Sequence, residues 1–113
     1  PAGRPYPYMC LQNVINLQVS HVEGCVKIDD TVPGVEEGLN AGMWSIGLAM
    51  SGNEVGLPLK DVQALPPADR ERRRQRAYTR MSQCGAHYVV DSIADIMPCL
   101  DDIEQRLARG ERP

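Results

Sequence analysis

Short, nearly continuous apolar runs alternate along the chain with longer stretches in which apolar residues recur at helical spacing. The runs near 24–29, 43–50 and 86–90 have the length and composition of parallel strands that are covered on both faces. The remaining stretches place apolar residues three or four positions apart, which predicts helices. The resulting order, helix, strand, helix, strand, helices, strand, helix, predicts an α/β fold in which a parallel sheet lies between layers of helices.

The helices are bounded by recognisable start and stop signals. Pro33 and Gly34 are predicted to form a turn before a short helix, and Gly85 is predicted to end a long one. Asp91 is expected to cap the last helix. The predicted helices cover about 7–18, 35–41, 58–65, 67–84 and the segment that begins at Asp91-Ser92, and residues 51–56 are predicted to be a loop. The last helix should bury Ile93, Ile96, Leu100, Ile103 and Leu107.

Composition narrows the class of protein. The 113 residues form one domain or part of one, and 42% of them are hydrophobic. No apolar run reaches the length of about 18 residues that spans a bilayer, and no signal peptide opens the chain, so a soluble, cytoplasmic protein is expected. The net charge of −3 predicts no general affinity for nucleic acid or anionic membranes. The cysteines are widely spaced and are expected to be reduced packing residues.

The long predicted helix carries many arginines, a pattern that also occurs in nucleic-acid-binding proteins. On a helix these arginines spread around much of the circumference, and Tyr78 is the aromatic residue among them. A solvated face is therefore the preferred interpretation. The arginines are Arg70, Arg72, Arg73, Arg74, Arg76 and Arg80.

Two adjacent carboxylates, Asp29 and Asp30, directly follow the first predicted strand. Ligands of open α/β sheets bind at the carboxyl ends of the strands. Neighbouring like charges need compensation by a cation, a basic group or water, and Mg²⁺ prefers carboxylate oxygens while it keeps several waters. The pair therefore predicts either a Mg²⁺ site or a helix cap beside a solvated acid. Spacing alone leaves both alternatives open.

Arg4 precedes the first predicted helix, in a loop rich in proline. A cation before a helix start opposes the helix dipole, which makes a purely stabilising role less natural and anion binding more so. A solvated loop arginine is the alternative interpretation.

Several stretches of the chain resemble one enzyme family. They are Gly3-Arg4-Pro5-Tyr6-Pro7-Tyr8-Met9-Cys10, Val26-Lys27-Ile28-Asp29-Asp30-Thr31-Val32-Pro33-Gly34, Glu37-Gly38-Leu39-Asn40-Ala41-Gly42-Met43-Trp44, Ser51-Gly52-Asn53-Glu54-Val55-Gly56-Leu57 and Gly85-Ala86-His87-Tyr88. Together they closely resemble the phosphonoacetaldehyde hydrolase (phosphonatase) family of the haloacid dehalogenase superfamily. The resemblance implies a Rossmann-like core and Mg²⁺-dependent cleavage of the carbon–phosphorus bond of phosphonoacetaldehyde to acetaldehyde and phosphate.

The resemblance also assigns roles to residues. The basic motif of the family falls on Arg4, which would pair with the nucleophile and the phosphoryl oxygens. The last acidic motif falls on Asp30, as the preferred Mg²⁺ ligand, and on Asp29, which would support the site indirectly or contact the ion through water. Many relatives have glycine at the position of Asp29 and an acid at that of Gly34, and Asp29 is expected to compensate for Gly34.

The resemblance further implies that residues 1–113 are the carboxy-terminal part of a core domain. The nucleophile motif and the cap domain with its Schiff-base lysine are absent from these residues, and neither Lys27 nor Lys60 matches the context of that lysine. The chain is expected to be inactive alone, and to form homo-oligomers or pair with the missing upstream half. The alternatives are a receiver-like Mg²⁺-binding module with Asp91 as phosphoacceptor, and a folded fragment without catalytic activity.

Overall fold

The computed structural model describes residues 3–50 and 59–113 and contains a parallel sheet of three strands, β1 (Val26–Asp29), β2 (Trp44–Leu48) and β3 (Tyr88–Val90). The strands lie in the order β1-β2-β3, with Val26 opposite Trp44 and Ile46 opposite Tyr88. The predicted α/β fold is confirmed. The helices are α1 (Tyr8–Asn16), α2 (Val32–Asn40), α3 (Leu59–Ala64), α4 (Pro67–Gln83) and α5 (Met97–Ala108). The predicted loop at 51–56 lies outside the described residues.

Helices cover both faces of the sheet. On one face, Gly38 of α2 lies against Ser45, and Met81 of α4 lies against Gly47. On the other face, Trp44 and Ile46 are fully buried against α5. The residues that α5 adds to this core cluster are Cys99, Leu100, Ile103 and Leu107, and Ile96, just before the helix, packs against it as well. This arrangement is the predicted sandwich, and it leaves β1 and β3 as the edges of the described sheet.

The start of α2 differs from the prediction. Pro33 and Gly34 were expected in a turn, yet both lie in the first turn of the helix, which begins at Val32. Proline is tolerated there because the first helical N–H groups have no partner within the helix. Thr31 supplies the cap, since its hydroxyl accepts a hydrogen bond from the Gly34 N–H at 3.0 Å.

The segment after β3 also differs from the prediction. Ser92, not Asp91, caps a 3-10 turn at Ile93–Asp95, and the helix proper begins only at Met97. Asp91 is occupied by hydrogen bonds from α4 and does not cap. Ile93 was expected on the inner face but is 57% exposed, because the intervening turn shifts it out of the helical register.

Most arginines of α4 are exposed, in agreement with a solvated face, while Ala77 and Met81 form its buried stripe. Gly85, at φ +102°, follows the end of α4 in the left-handed conformation that favours glycine. Within the described residues, none of the helices combines the length and apolarity that crossing a membrane requires.

Candidate functional site

The residues of β1 alternate between the two faces of the sheet, so Lys27 and Asp29 share the face that α2 covers. Two glycines of α2 make room for them. A Cβ at Gly34 would lie 2.0 Å from the Asp29 Cγ, and one at Gly38 would lie 2.5 Å from the Lys27 Cβ. Both distances are far shorter than real carbon contacts. The close approach of α2 to β1 therefore depends on glycine at these two positions.

The Asp29 carboxylate is buried, and both of its oxygens accept hydrogen bonds. Its Oδ1 accepts hydrogen bonds from the Thr31 N–H at 2.8 Å and the Thr31 hydroxyl at 2.7 Å, while Lys27 Nζ donates to Oδ2 at 2.9 Å. Burial alone would raise the pKa of Asp29, but these bonds from Lys27 and Thr31 outweigh it and lower the pKa below its ordinary value. Asp29 is therefore a charged group held in place by cations and a cap residue.

Arg4 reaches the same cluster from the loop before α1. Its loop is closed by a hydrogen bond from the Tyr6 N–H to the Gly3 carbonyl, and the Asn40 side-chain amide donates to the Pro5 carbonyl at 2.8 Å. The guanidinium Nη2 lies 3.2 Å from Asp29 Oδ2. The solvated-loop interpretation of Arg4 is therefore wrong, and the two sequence-predicted residues Arg4 and Asp29 lie in contact.

Glu37 completes the cluster, and sequence reasoning missed it. This α2 residue is 2% exposed, and its Oε1 lies 3.3 Å from Arg4 Nε and 3.4 Å from Lys27 Nζ. Helical spacing from the buried Gly34 and Ala41 places position 37 on the inner face of α2, so the pattern contained a signal. Arg4, Lys27, Asp29 and Glu37, the clamp from here on, unite two cations and two carboxylates.

Asp30 differs from its neighbour. It follows β1, is half-buried, and forms no hydrogen bond or ion pair with any residue of the ranges 3–50 and 59–113. Among these residues no group of three or more carboxylate, thiol or imidazole side chains is arranged to hold a metal ion. Asp30 is thus the carboxylate of the pair that is available to a further ligand.

A second acid at a strand end, Asp91 after β3, has a different environment. Its Oδ1 accepts hydrogen bonds from Arg74 Nε at 2.9 Å and from the Tyr78 hydroxyl at 2.6 Å. The Arg74 guanidinium also stacks 4.4 Å from the Tyr78 ring centroid. Burial and the bond to Asp91 raise the pKa of Tyr78 to about 12. These contacts join α4 to the end of β3.

The cysteines agree with the reduced state expected of them, and the two histidines have different environments. His87 Nδ1 accepts a hydrogen bond from the Ser45 N–H at 3.0 Å, and burial lowers the pKa of the imidazole. His21 is largely exposed beside Glu23. All four cysteines are free thiols, and the pKa of the Cys10 thiol is raised, first by burial and then by the nearby Glu37 charge.

A cavity of about 450 Å³ lies between α1 and the β1 edge, next to the clamp. Arg4, Lys27 and Glu37 form its polar end. The apolar wall comes from Met9, Val14, Leu17, Val19, Val26 and Met43. Leu17 of this wall is 75% exposed, and Ile15, which does not line the cavity, is 67% exposed.

The parallel sheet and the helices on both of its faces define an α/β protein, with acids at the carboxyl ends of its outer strands. Within that class the chain is similar to phosphonoacetaldehyde hydrolases. One such protein from Klebsiella pneumoniae is 54% identical over 111 residues, which is 98% of this chain and 41% of that protein. Another, from Bordetella pertussis, is 51% identical over 113 residues, again 41% of its length. No family model matches the chain.

A solved structure gives the same result. The crystal structure of a phosphonoacetaldehyde hydrolase like protein from Oleispira antarctica matches 98% of this chain with a TM-score of 0.94 and 53% identity. The chain covers 40% of that structure. The resemblance found in the sequence is therefore confirmed, and the chain spans about two fifths of the length of the relatives it matches.

Proposed function

We propose that this chain supplies the oxyanion-binding and Mg²⁺-binding edge of a phosphonoacetaldehyde hydrolase. In this proposal the complete enzyme cleaves the carbon–phosphorus bond of phosphonoacetaldehyde to acetaldehyde and phosphate, in the cytoplasm. The observation that carries the proposal is Arg4, a partly exposed cation held by two buried carboxylates at the carboxyl edge of the sheet. The similarity to enzymes of this name supports the choice of substrate.

Arg4 is suited to a phosphoryl group because of how it is held. Its contacts with Asp29 and Glu37 use Nε and Nη2, one side edge of the guanidinium, and 41% of the side chain remains exposed. The opposite end of the planar fork can donate two parallel hydrogen bonds to an oxyanion. A fixed guanidinium stabilises charge that develops on phosphoryl oxygens without reorganisation during the reaction.

The residues present fit Mg²⁺ through Asp30, whose carboxylate has no partner among the described residues. Mg²⁺ commonly takes one or two carboxylates and keeps several waters. Asp29 would act indirectly, because cations and Thr31 already occupy its oxygens. When bound, the ion would neutralise phosphoryl charge. Because this chain offers the ion few protein ligands, we expect it to bind Mg²⁺ weakly when it is alone.

The experiment for the metal site is an NMR titration of the chain with Mg²⁺. The largest shifts are expected around Asp30 and should vanish in Asp30→Asn, while the matched variant Asp101→Asn, on the exposed side of α5, should titrate like the unsubstituted chain. Identical shifts in the Asp30→Asn and unsubstituted chains would refute the assignment.

In the family that the chain resembles, an aspartate nucleophile and a lysine of the cap domain carry out bond cleavage. None of the 113 residues matches either of them. Lys27 is a poor Schiff-base amine because its ammonium lies between two carboxylates. We therefore expect no turnover of phosphonoacetaldehyde by the chain alone. Phosphate release above background, from protein shown to be free of complete enzyme, would contradict this.

The β1 edge and the cavity beside it suit a further polypeptide segment. β1 has a strand partner on one side only in the described sheet, and the cavity next to it is largely apolar. An unpaired edge with an apolar flank tends to find a partner. The occupant in our proposal is the upstream part of the enzyme, with self-association of the chain as the alternative. Sedimentation across a concentration series, with and without a separately produced upstream half, distinguishes the two.

A receiver-like module with Asp91 as phosphoacceptor is the less favoured function. The Asp91 carboxylate already accepts hydrogen bonds from Arg74 and Tyr78, which compete with attack on a phosphodonor. Incubation with acetyl phosphate tests this alternative. Incorporation of phosphate that is lost in Asp91→Asn would favour it over the hydrolase.

A further inference from the structure

Glu37 has no direct contact with a reacting group in the proposed function, yet it is the most deeply buried member of the clamp. Its Oε1 touches both cations, Arg4 at 3.3 Å and Lys27 at 3.4 Å. Asp29 Oδ2 touches the same two cations, at 3.2 Å and 2.9 Å. Each cation is therefore held by both acids, and the four side chains close a ring of alternating charge.

Stability alone is a weak reason for this burial. Removing a carboxylate from water costs several kcal/mol, and a buried ion pair often stabilises no more than an apolar pair of the same volume. The second oxygen of Glu37, Oε2, is buried and has no hydrogen-bond partner among the described residues, which adds a further cost. The negative charge of Glu37 at this buried position therefore indicates that the residue has a role other than stabilising the fold.

The geometry identifies that role. Asp29 alone would hold Arg4 through one nitrogen, Nη2, and leave the guanidinium free to rotate about that contact. Glu37 holds a second nitrogen, Nε, on the same edge of the guanidinium. Two contacts on one edge fix the plane of the guanidinium and the direction of its free end.

We propose that Glu37 is a positioning residue that orients Arg4 toward the oxyanion. The proposal rests on the proposed function, in which Arg4 binds phosphoryl oxygens. Glu37 acts through Arg4, and Lys27 offsets part of its charge within the ring.

Electrostatics and positioning predict opposite results for Glu37→Gln. The substitution removes one negative charge beside Arg4, so by charge alone it should tighten binding of an anion. If Glu37 positions Arg4, the substitution should weaken binding despite the added positive charge. Inorganic phosphate in the presence of Mg²⁺ is the probe, and binding is followed by NMR of the chain. We expect about tenfold weaker binding, equivalent to one charge-assisted hydrogen bond.

A second readout needs no ligand. The Nε–Hε signal of Arg4, assigned by its loss in Arg4→Gln, should exchange slowly with water in the unsubstituted chain and about tenfold faster in Glu37→Gln. Glu37→Asp keeps the charge but shortens the side chain, so it should give intermediate exchange and recover part of the phosphate affinity. Glu36→Gln changes the same charge on the outer side of α2 and should alter neither readout.

The outcomes separate the two proposals. Phosphate binding that is unchanged or tighter in Glu37→Gln, with slow exchange at Arg4, overturns the positioning role. Should that variant not fold, unchanged exchange in Glu37→Asp overturns it equally. Phosphate affinity that is the same in Arg4→Gln as in the unsubstituted chain overturns the oxyanion role of Arg4 itself, whatever the exchange rates show.

Discussion

The carboxyl ends of β1 and β3 each place an aspartate against an arginine, but the two pairs differ in surroundings. At the β1 end, the Asp29 side chain is 7% exposed and meets two cations, with a buried Glu37 beside them. At the β3 end, the Asp91 side chain is 44% exposed and meets Arg74 and a tyrosine hydroxyl. The position on the sheet is equivalent, so the difference lies in burial and in the number of charges.

This difference shows why a strand-end acid is not by itself evidence of a site. An exposed ion pair contributes at most about 1 kcal/mol, and a contact that joins a helix to a strand explains it. A four-charge cluster in which both carboxylates are buried is held at considerable desolvation cost. The proposed site is therefore placed at the β1 end, and four predictions test the contrast between the two strand ends.

The largest difference in stability is expected between the variants Asp29→Ala and Asp91→Ala. Asp29→Ala leaves Lys27 and Arg4 with only Glu37, and should lower the free energy of unfolding by about 3 kcal/mol or more, since breaking a buried pair costs about 3–5 kcal/mol. Asp91→Ala should cost about 1 kcal/mol. Urea unfolding followed by circular dichroism measures both values. Equal losses would show that the two strand ends are energetically alike.

The second prediction concerns Gly34, which makes room for the Asp29 carboxylate. Gly34→Ala puts a methyl group about where that carboxylate lies, and should cost about 2 kcal/mol. Gly24→Ala is the control, because nothing lies within 4 Å of its Cβ position, and should change stability by less than about 0.5 kcal/mol.

A double variant sharpens this test. In the Asp29→Ala background the clash is absent, so Gly34→Ala should become stabilising by up to about 1 kcal/mol, the ordinary advantage of alanine in a helix. The sign reversal identifies contact with Asp29 as the cause. A cost that is the same in both backgrounds would assign the glycine requirement to something other than Asp29.

Sequence predicted the sheet well because its signals are local. The apolar runs that became β1, β2 and β3 needed only length and composition, and the strand-end location of Asp29 and Asp30 followed from them. Arg4 was singled out by its place before the first helix and by the resemblance, but its contact with Asp29 spans 25 positions of sequence and has no local signal. Alternation along β1 could also have placed Lys27 beside Asp29.

The remaining site residues depend on tertiary packing. Glu37 was overlooked because a glutamate in a short helix is usually solvated, whereas here Arg4 and Lys27 lie against its buried carboxylate. The turn expected at Pro33 and Gly34 became helix because Thr31 caps a helix that begins at Val32, three residues before the predicted start. Asp91 was assigned to a cap because its partners on α4 lie 13 and 17 residues away.

The third prediction concerns a substitution that weakens the contacts at the β3 end and leaves the β1 end unchanged. Tyr78→Phe removes the hydroxyl that donates to Asp91 and should lower the free energy of unfolding by about 1 kcal/mol. Tyr6→Phe, at a largely exposed ring, should change it by less than about 0.5 kcal/mol. The Arg4 Nε–Hε exchange rate should be the same in Tyr78→Phe as in the unsubstituted chain. A change there would indicate that the two strand ends are coupled.

The smallest expected effect is the acid dependence contributed by Asp29. Because its pKa is lower in the folded state than the ordinary 3.8, the unfolded chain binds more protons between these two values. The stability that Asp29 contributes is therefore complete above about pH 4 and is lost as the pH falls through the folded-state pKa. Asp29→Asn has no carboxylate to titrate, so its deficit relative to the unsubstituted chain should be constant from pH 7 to 5 and should shrink below pH 4. Urea unfolding across that range measures the difference. A deficit that stays constant down to pH 2 would mean that the clamp does not depend on the charge of Asp29, and the contrast with Asp91 would then rest on packing alone.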